Sequence, residues 1–331
     1  MKKIVSFFAT PSDCFNELNQ RAQQYAETLG FSYRWAPQSP FRVEQVIEEL
    51  KQADVGIIDV EPYGEDIFRE IQGHTQLLVR FGVGFDKVDL TAASQHGIAV
   101  ARTTAANASG VAEMALSMIL AARRGLRPNR IHCIETGQWD RCVYHETPGS
   151  TVGIVGFGAI GRILAKLCLG LGCRVLAYDP YPNEALAQQM GVELVDLDQL
   201  FETSDAISIH VPYSKETHHM VDAHRLAQMK PTAVLVNTAR GNLVDEEALY
   251  DALKAHRICG AGLDVFAQEP LPVSSPLLEL DNLILSPHFS SQTVESLWNT
   301  YKMAIDIAND FFTKQESPHI LNPDYKQFLN K

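Results

Sequence analysis

"TVGIVGFGAIGR", residues 151–162, decides the fold: a β-branched apolar run enters three glycines spaced G-x-G-x-x-G and leaves on the helical pattern "AIGRILAKLCLGLG". A lone glycine triplet is weak evidence, because any sharp bend from strand to helix favours glycine. Here the context is specific. Gly156, Gly158 and Gly161 follow a strand pattern and open a helix, so the turn would aim free backbone N–H groups and the positive helix end at a pyrophosphate. The next strand pattern, "CRVLAYDP", ends on Asp179, 18 residues after Gly161. That is near the ~20 residues at which a carboxylate meets the ribose hydroxyls of a dinucleotide. Such a carboxylate repels a 2′-phosphate, and no arginine follows it in "DPYPNEAL", so NAD is expected rather than NADP.

Outward from this unit, short β-branched runs alternate with longer amphipathic ones, the pattern of parallel sheets with crossover helices. "TVGIVGFG", "CRVLAYD", "AISIHVP", "AVLVNTA", "ICGAGLDV" and "NLILSPH" form one strand series. "KKIVSFFA", "VGIIDV", "QLLVRF" and "GIAVART" form an earlier one, separated by helical stretches such as "DCFNELNQRAQQYAETLG" and "FRVEQVIEELKQ". Between the series "ASGVAEMALSMILAARRG" reads as a long buried helix, and "SQTVESLWNTYKMAIDIANDFFTK" as an amphipathic helix that returns to the first half. The expectation is an α/β protein of two doubly wound parallel-sheet domains, one interrupting the other. Residues 1–101 and 291–331 would form a flavodoxin-like substrate domain, and 102–290 a Rossmann NAD-binding domain.

Composition sets bounds on function. A chain of 331 residues suffices for two domains with real cores. Its formal charge of −12 opposes nucleic acid and acidic membrane surfaces as partners. The six cysteines (Cys14, Cys133, Cys142, Cys168, Cys173, Cys259) include no C-x-x-C pair and no cluster with histidines, which points to reduced thiols in a cytoplasmic protein without a metal. No apolar run reaches the ~18 residues of a membrane span. "MKKIVSFFATPSD" superficially resembles a signal peptide, yet Pro11 and Asp13 follow its brief apolar run, and it reads better as a first buried strand.

A dinucleotide turn does not name a reaction, so the chemistry must come from other side chains. Arg240, in "VLVNTARGNLVDEEAL", directly follows a strand pattern, which puts its planar fork of donors at the carboxyl edge of the sheet, where a substrate carboxylate suits it. Glu269 in "GLDVFAQEP" and His288 in "LSPHFSS" follow two successive strand ends, 19 residues apart. A carboxylate bonded to an imidazole fixes the ring and makes it a competent general acid near neutral pH.

In order along nearly the whole chain, "RFGVGFDKVDL", "ANASGVAEMAL", "TGQWDR", "GIVGFGAIGR", "ISIHVPYSKET", "VNTARGNLVDEEAL", "GLDVFAQEP" and "SPHFSS" resemble the motifs of the D-isomer-specific 2-hydroxyacid dehydrogenase family. The resemblance is to its phosphoglycerate dehydrogenase-like members in a short form, with no room before Lys331 for their regulatory domain. It implies hydride transfer between nicotinamide and C2 of a D-2-hydroxy acid or 2-oxo acid. Arg240 would bind and polarise the 2-oxo acid, His288 would exchange a proton with the C2 oxygen, and Glu269 would support His288. Gly82, Val83 and Gly84 would cradle the substrate carboxylate, joined by Arg80 and Asn107, with Glu113 in the same matching segment. Ala159 and Ile160 would offer amides to the pyrophosphate, Asp264 would hold the nicotinamide carboxamide, and Val83, Val211, Pro212, Thr238, Ala239, His288 and Ser291 would line the cofactor. The family's dimers lead to the expectation of a homodimer, with "ETGQWDR" part of an interlocking arm. Arg80 matches an arginine of members that act on phosphoglycerate, whereas the acidic "IIDVEPYGED" stands where those members tend to carry phosphate anchors. Glyoxylate, hydroxypyruvate and bulkier 2-oxo acids stay open as substrates. A second reading, an NAD(H)-binding corepressor with little turnover, shares the fold.

Overall fold

The computed structural model describes residues 1–8, 13–126, 135–137, 143–314 and 317–329. Cys133, Cys142 and the residues 138–141 of "ETGQWDR" lie outside the described residues. The chain folds as two compact units, Met1–Asn107 with Gln292–Lys331, and Ala108–Ser291.

In the first unit β1 (Lys2–Ser6), β2 (Phe31–Trp35), β3 (Val55–Ile58), β4 (Leu77–Arg80) and β5 (Ala99–Arg102) form a parallel sheet in the order β2-β1-β3-β4-β5. This is the flavodoxin-like doubly wound order. Between the strands run α1 (Asp13–Thr28), α2 (Val43–Leu50), α3 (Glu65–Ile71) and α4 (Leu90–Gln95). Side chains alternate across the sheet, so Ile57, Leu77 and Val79 enter one core with Phe15, Leu18 and Ala22 of α1, while Ile58 and Leu78 enter another with Val46, Leu50, Ile67 and Phe68. Because both faces are covered, these strands read as unbroken apolar runs rather than alternating ones. The half-exposed edge strand β2, "FSYRW", escaped the sequence reading because Ser32 and Arg34 interrupt its apolar residues.

In the second unit α5 (Ala108–Arg123) precedes β6 (Thr151–Val155), α6 (Ala159–Gly170), β7 (Arg174–Tyr178), α7 (Glu184–Met190), β8 (Glu193–Leu194), α8 (Leu197–Thr203) and β9 (Ala206–Ile209). α9 (Ala223–Gln228), β10 (Val234–Asn237), α10 (Glu246–Lys254), β11 (Gly260–Leu263) and β12 (Leu283–Leu285) complete it. The seven strands are parallel in the order β12-β11-β10-β9-β6-β7-β8. Counted from β6, this is the 3-2-1-4-5-6 Rossmann order with a seventh strand added, and the order reverses at β6, where the glycine turn lies. Ala115, Met118, Leu164 and Ala165 of α5 and α6 cover one face with Ile154 and Val175; Leu200, Leu226 and Leu249 cover the other with Ile207 and Leu235.

The chain then returns to the first unit as α11 (Val294–Lys314), whose Leu297, Tyr301, Ala304 and Ile305 complete the core against α1. Tyr25 of α1 donates to Asp306 at 2.6 Å. Residues 102–107 belong to the first unit as well, since β5 pairs with β4 as far as Arg102 and the Thr103 N–H donates to the Arg80 carbonyl at 3.2 Å. Among the described residues no helix is long and apolar enough to cross a membrane, and no disulfide joins Cys14, Cys168, Cys173 or Cys259.

Candidate active site

Three neighbouring strands of the second unit, β10, β11 and β12, end on the same sheet edge. At the end of β10, the buried Asn237 donates from Nδ2 to the Arg240 carbonyl at 2.8 Å and accepts the Ala239 N–H at 3.0 Å. Those two bonds fix the turn that presents Arg240, which sits on extended backbone (φ −147°, ψ 140°). Past β11 stands Asp264, 0% exposed. Its Oδ1 accepts Ser286 Oγ at 2.6 Å and the Phe289 N–H at 3.0 Å, its Oδ2 accepts the Ser290 N–H at 3.0 Å, and its carbonyl accepts the His288 N–H at 2.8 Å.

This cage holds His288 at φ +50°, a left-handed conformation that costs a residue other than glycine about 1–3 kcal/mol. Its imidazole is thereby directed to Glu269: Nδ1 lies 2.7 Å from Oε2, while Oε1 accepts the Phe266 N–H at 3.0 Å. The two side chains are 40% and 37% exposed, open enough to meet a ligand. Burial alone pushes the Glu269 carboxyl up, but the His288 and Phe266 hydrogen bonds and the charges of His288 and Arg240 outweigh it and hold it below the usual carboxylate range. His288 and Glu269 are thus paired directly, and Arg240 follows the neighbouring strand β10 on the same sheet edge.

The glycine turn divides its duties among its members. Gly156 adopts φ +100°, and a Cβ there would come within 2.7 Å of the His210 carbonyl oxygen. A Cβ on Gly161 would overlap the Gly156 carbonyl oxygen, so this glycine lets helix and strand approach. On the exposed Gly158 a Cβ would meet nothing, which leaves the start of α6 open to a ligand. Helices α7, α8, α9 and α10 are capped by Asn183, Asp196, Asp222 and Asp245 through their own side chains. α6 has no such cap, and its first two residues, Ala159 and Ile160, are half-buried. Asp179 stands beside the turn, its Oδ2 accepting the Phe157 N–H at 2.8 Å and its Oδ1 the Tyr181 N–H at 2.9 Å.

Two buried polar atoms on the same sheet edge are orphaned, Thr238 Oγ1 after β10 and His210 Nδ1 after β9. Burial pushes the His210 ring down to about 3, so it is neutral, with Nε2 2.9 Å from Ser208 Oγ. Open space at Gly158, an uncapped helix start and orphaned polar atoms together fit a dinucleotide. Val211 is buried there, Ala239 and Ser291 are half-buried, and Pro212 is exposed.

In the first unit, the turn after β4 carries Gly82, Val83 and Gly84. The Gly82 N–H donates to Thr103 Oγ1 at 2.7 Å, and Arg102 Nη1 donates to the Val83 carbonyl at 3.2 Å. Arg80 is only 8% exposed; its guanidinium donates to the Phe81 carbonyl, lies 3.7 Å from Asp59 and packs where a Gly82 side chain would stand. It supports the loop from within. Asn107 has a buried Oδ1 without a partner, and Glu113 is exposed on α5. Sequence reading missed Asn237 and the loop-holding bonds of Asp264; a polar residue ending a wholly buried strand is the one signal that marks Asn237.

The sheet order, the turn and the polar triplet define a nucleotide-dependent oxidoreductase of Rossmann type. The model for "D-isomer specific 2-hydroxyacid dehydrogenase, NAD binding domain" matches residues 116–290, and the chain belongs to that family of NAD-dependent oxidoreductases. It is 36% identical over 299 residues to a glyoxylate reductase of Korarchaeum cryptofilum, covering 88% of this chain and 89% of that one. It is 39% identical over 259 residues to a D-3-phosphoglycerate dehydrogenase of Methanocaldococcus jannaschii, covering 76% of this chain but only 48% of that one, so it spans about half the length of this relative. The solved structure of a D-2-hydroxyisocaproate dehydrogenase superposes with a TM-score of 0.85 at 28% identity, covering 97% of this chain and 99% of that one.

Proposed function

We propose that this protein reduces a small, unphosphorylated 2-oxo acid to the D-2-hydroxy acid, reversibly and with NAD(H), using Arg240, Glu269 and His288. The observation that carries this reading is the 2.7 Å pair of His288 and Glu269 on the sheet edge that also presents Arg240. When bound, the reduced cofactor supplies hydride to C2. His288 gives a proton from Nε2 to the C2 oxygen, because Nδ1 is occupied by Glu269. Glu269 keeps the ring oriented and balances its charge, and Arg240 binds the acid and stabilises negative charge that develops on the oxygen.

Gly156, Gly158, Ala159, Ile160 and Gly161 are read as the pyrophosphate site, and Asp179 as the ribose carboxylate that favours NAD over NADP. Val83, Val211, Pro212, Thr238, Ala239, Asp264, His288 and Ser291 take the remaining cofactor contacts. Gly82, Val83, Gly84 and Asn107 take the substrate carboxylate. Arg80 acts through the loop it supports: its guanidinium is buried and engaged with Asp59, which speaks against capture of a phosphate. Glyoxylate is therefore the first substrate to try. The same reading takes the protein as a cytoplasmic homodimer, which light scattering checks for assembly.

An NADH-oxidation assay across a panel of 2-oxo acids, run on the wild type, Arg240→Ala and His288→Ala, tests the assignment. The wild type should turn over. His288→Ala should lose roughly 10²–10⁴ in kcat, the usual share of a general acid. Near-normal turnover in His288→Ala contradicts the role given to that residue.

A further inference from the structure

Glu269 stands on a short exposed stretch, residues 267–270, that follows the buried Phe266. Two contacts from the Arg240 side of the unit meet this stretch. The Gly241 backbone lies so close to Phe266 and Ala267 that a Cβ there would overlap the Phe266 carbonyl carbon. The second contact is a side chain: Glu246, in the first turn of α10, accepts the Ala267 N–H with Oε1 at 2.7 Å. A carboxylate on a backbone amide is a charge-assisted bond, stronger than a neutral one. Within the exposed stretch, the other hydrogen bonds in view are those of Glu269 itself, to Phe266 and His288. α10 needs no help from Glu246 to cap its own start, since Asp245 accepts the Glu247 and Ala248 N–H groups at 3.1 Å.

We infer that Glu246 is a positioning residue: by holding the Ala267 amide it fixes the Glu269 loop against the Arg240 segment and so sets the carboxylate that orients His288. The inference rests on the reading of His288 and Glu269 given above. It makes the loop and the Arg240 segment one rigid part, in which a shift of the Ala267 amide is passed to Glu269 only two residues away. Small displacements of a catalytic group cost large factors in rate, up to ~10² per ångström.

Glu246→Gln keeps a carbonyl oxygen for Ala267 but removes the negative charge from the helix start, whereas Glu246→Ala removes both. For Glu246→Ala we expect kcat with the best 2-oxo acid to fall about tenfold, with the NADH Kd from fluorescence titration unchanged. Glu246→Gln should recover most of that kcat, even though both variants lose the same charge and shift Tm downward together. A structural role alone would lower Tm in both and leave kcat of the folded enzyme alone. Wild-type kcat in Glu246→Ala, or a Glu246→Gln no better than Glu246→Ala, overturns the proposal while a crippled His288→Ala leaves the parent reading standing. Full activity in His288→Ala overturns both.

Discussion

A buried aspartate with three donors on its carboxylate controls where His288 points. In Asp264→Ala the Ser286 hydroxyl and the Phe289 and Ser290 amides lose their acceptor inside the protein. We expect a loss of on the order of 3 kcal/mol in urea unfolding, since each buried donor left unpaired costs about 1–3 kcal/mol and some will reach water. Glu269 gives the pH prediction. Its folded carboxyl titrates below the ordinary value, so its contribution to stability and to ring orientation is complete above that ordinary value. It is lost only as pH falls through the lower, folded one. In the reduction direction, kcat/KM should therefore show no acid-side loss from this group above about pH 4.3, the ordinary glutamate value; an acid limb centred higher that vanishes in Glu269→Gln would contradict it. Asp179→Ser should raise NADPH use relative to NADH at least about tenfold, read from the ratio of the two kcat/KM values, because the repulsion of a 2′-phosphate is removed. Arg240, Glu269 and His288 could be picked out in the sequence because each lies within three to six residues of the end of a strand, where the chain turns over the sheet edge. Glu246 and the cage around Asp264 were not, since their partners lie 21 to 26 residues away and only the packed register brings them together.

Among the elements, the turn from β6 into α6 separates fold from function most sharply. A methyl group on Gly161 meets backbone oxygen that cannot step aside, and overpacking of this kind costs roughly 1–3 kcal/mol or more. A methyl on Gly158 meets empty space. Gly158→Ala should thus melt like the wild type yet bind NADH more weakly by fluorescence titration, while Gly161→Ala should melt earlier; equal NADH affinity in Gly158→Ala would remove Gly158 from the cofactor site. The strands and helices around this turn could be read because each strand is buried on both faces and each helix on one. β2 and β8 could not. In β2 the polar Ser32 and Arg34 break the apolar run, and β8 has two residues, Glu193 and Leu194, too few for any periodicity to show.

On the scale of the whole molecule, the two units have separate cores, and every proposed cofactor contact except Val83 lies in the second, so NADH should stabilise chiefly that unit. Saturating NADH at about 100 Kd adds about 2.7 kcal/mol to the unit that binds it. Calorimetry should show one of two overlapping transitions move upward with NADH while the other stays in place; a shift of the entire profile would mean the units unfold together. The fold class could be read from the count and rhythm of strands and helices, which composition alone does not give. The first crossing between units was harder to place, because the stretch after β5 has no glycine or proline to mark it and its residues 102–107 stay with the first sheet. The late return of α11 bears on how the polypeptide is made. A ribosome releases β1 to β5 early, but the wall formed by Leu297, Tyr301 and Ile305 emerges only after the intervening 184 residues, Ala108–Ser291, have been added. At about 5–20 residues per second that interval lasts roughly 10 to 40 s. During it α1 alone covers that face of the nascent sheet, whose remaining apolar surface waits for α11, and the segment spliced into the middle can reach its native state before the sheet that precedes it.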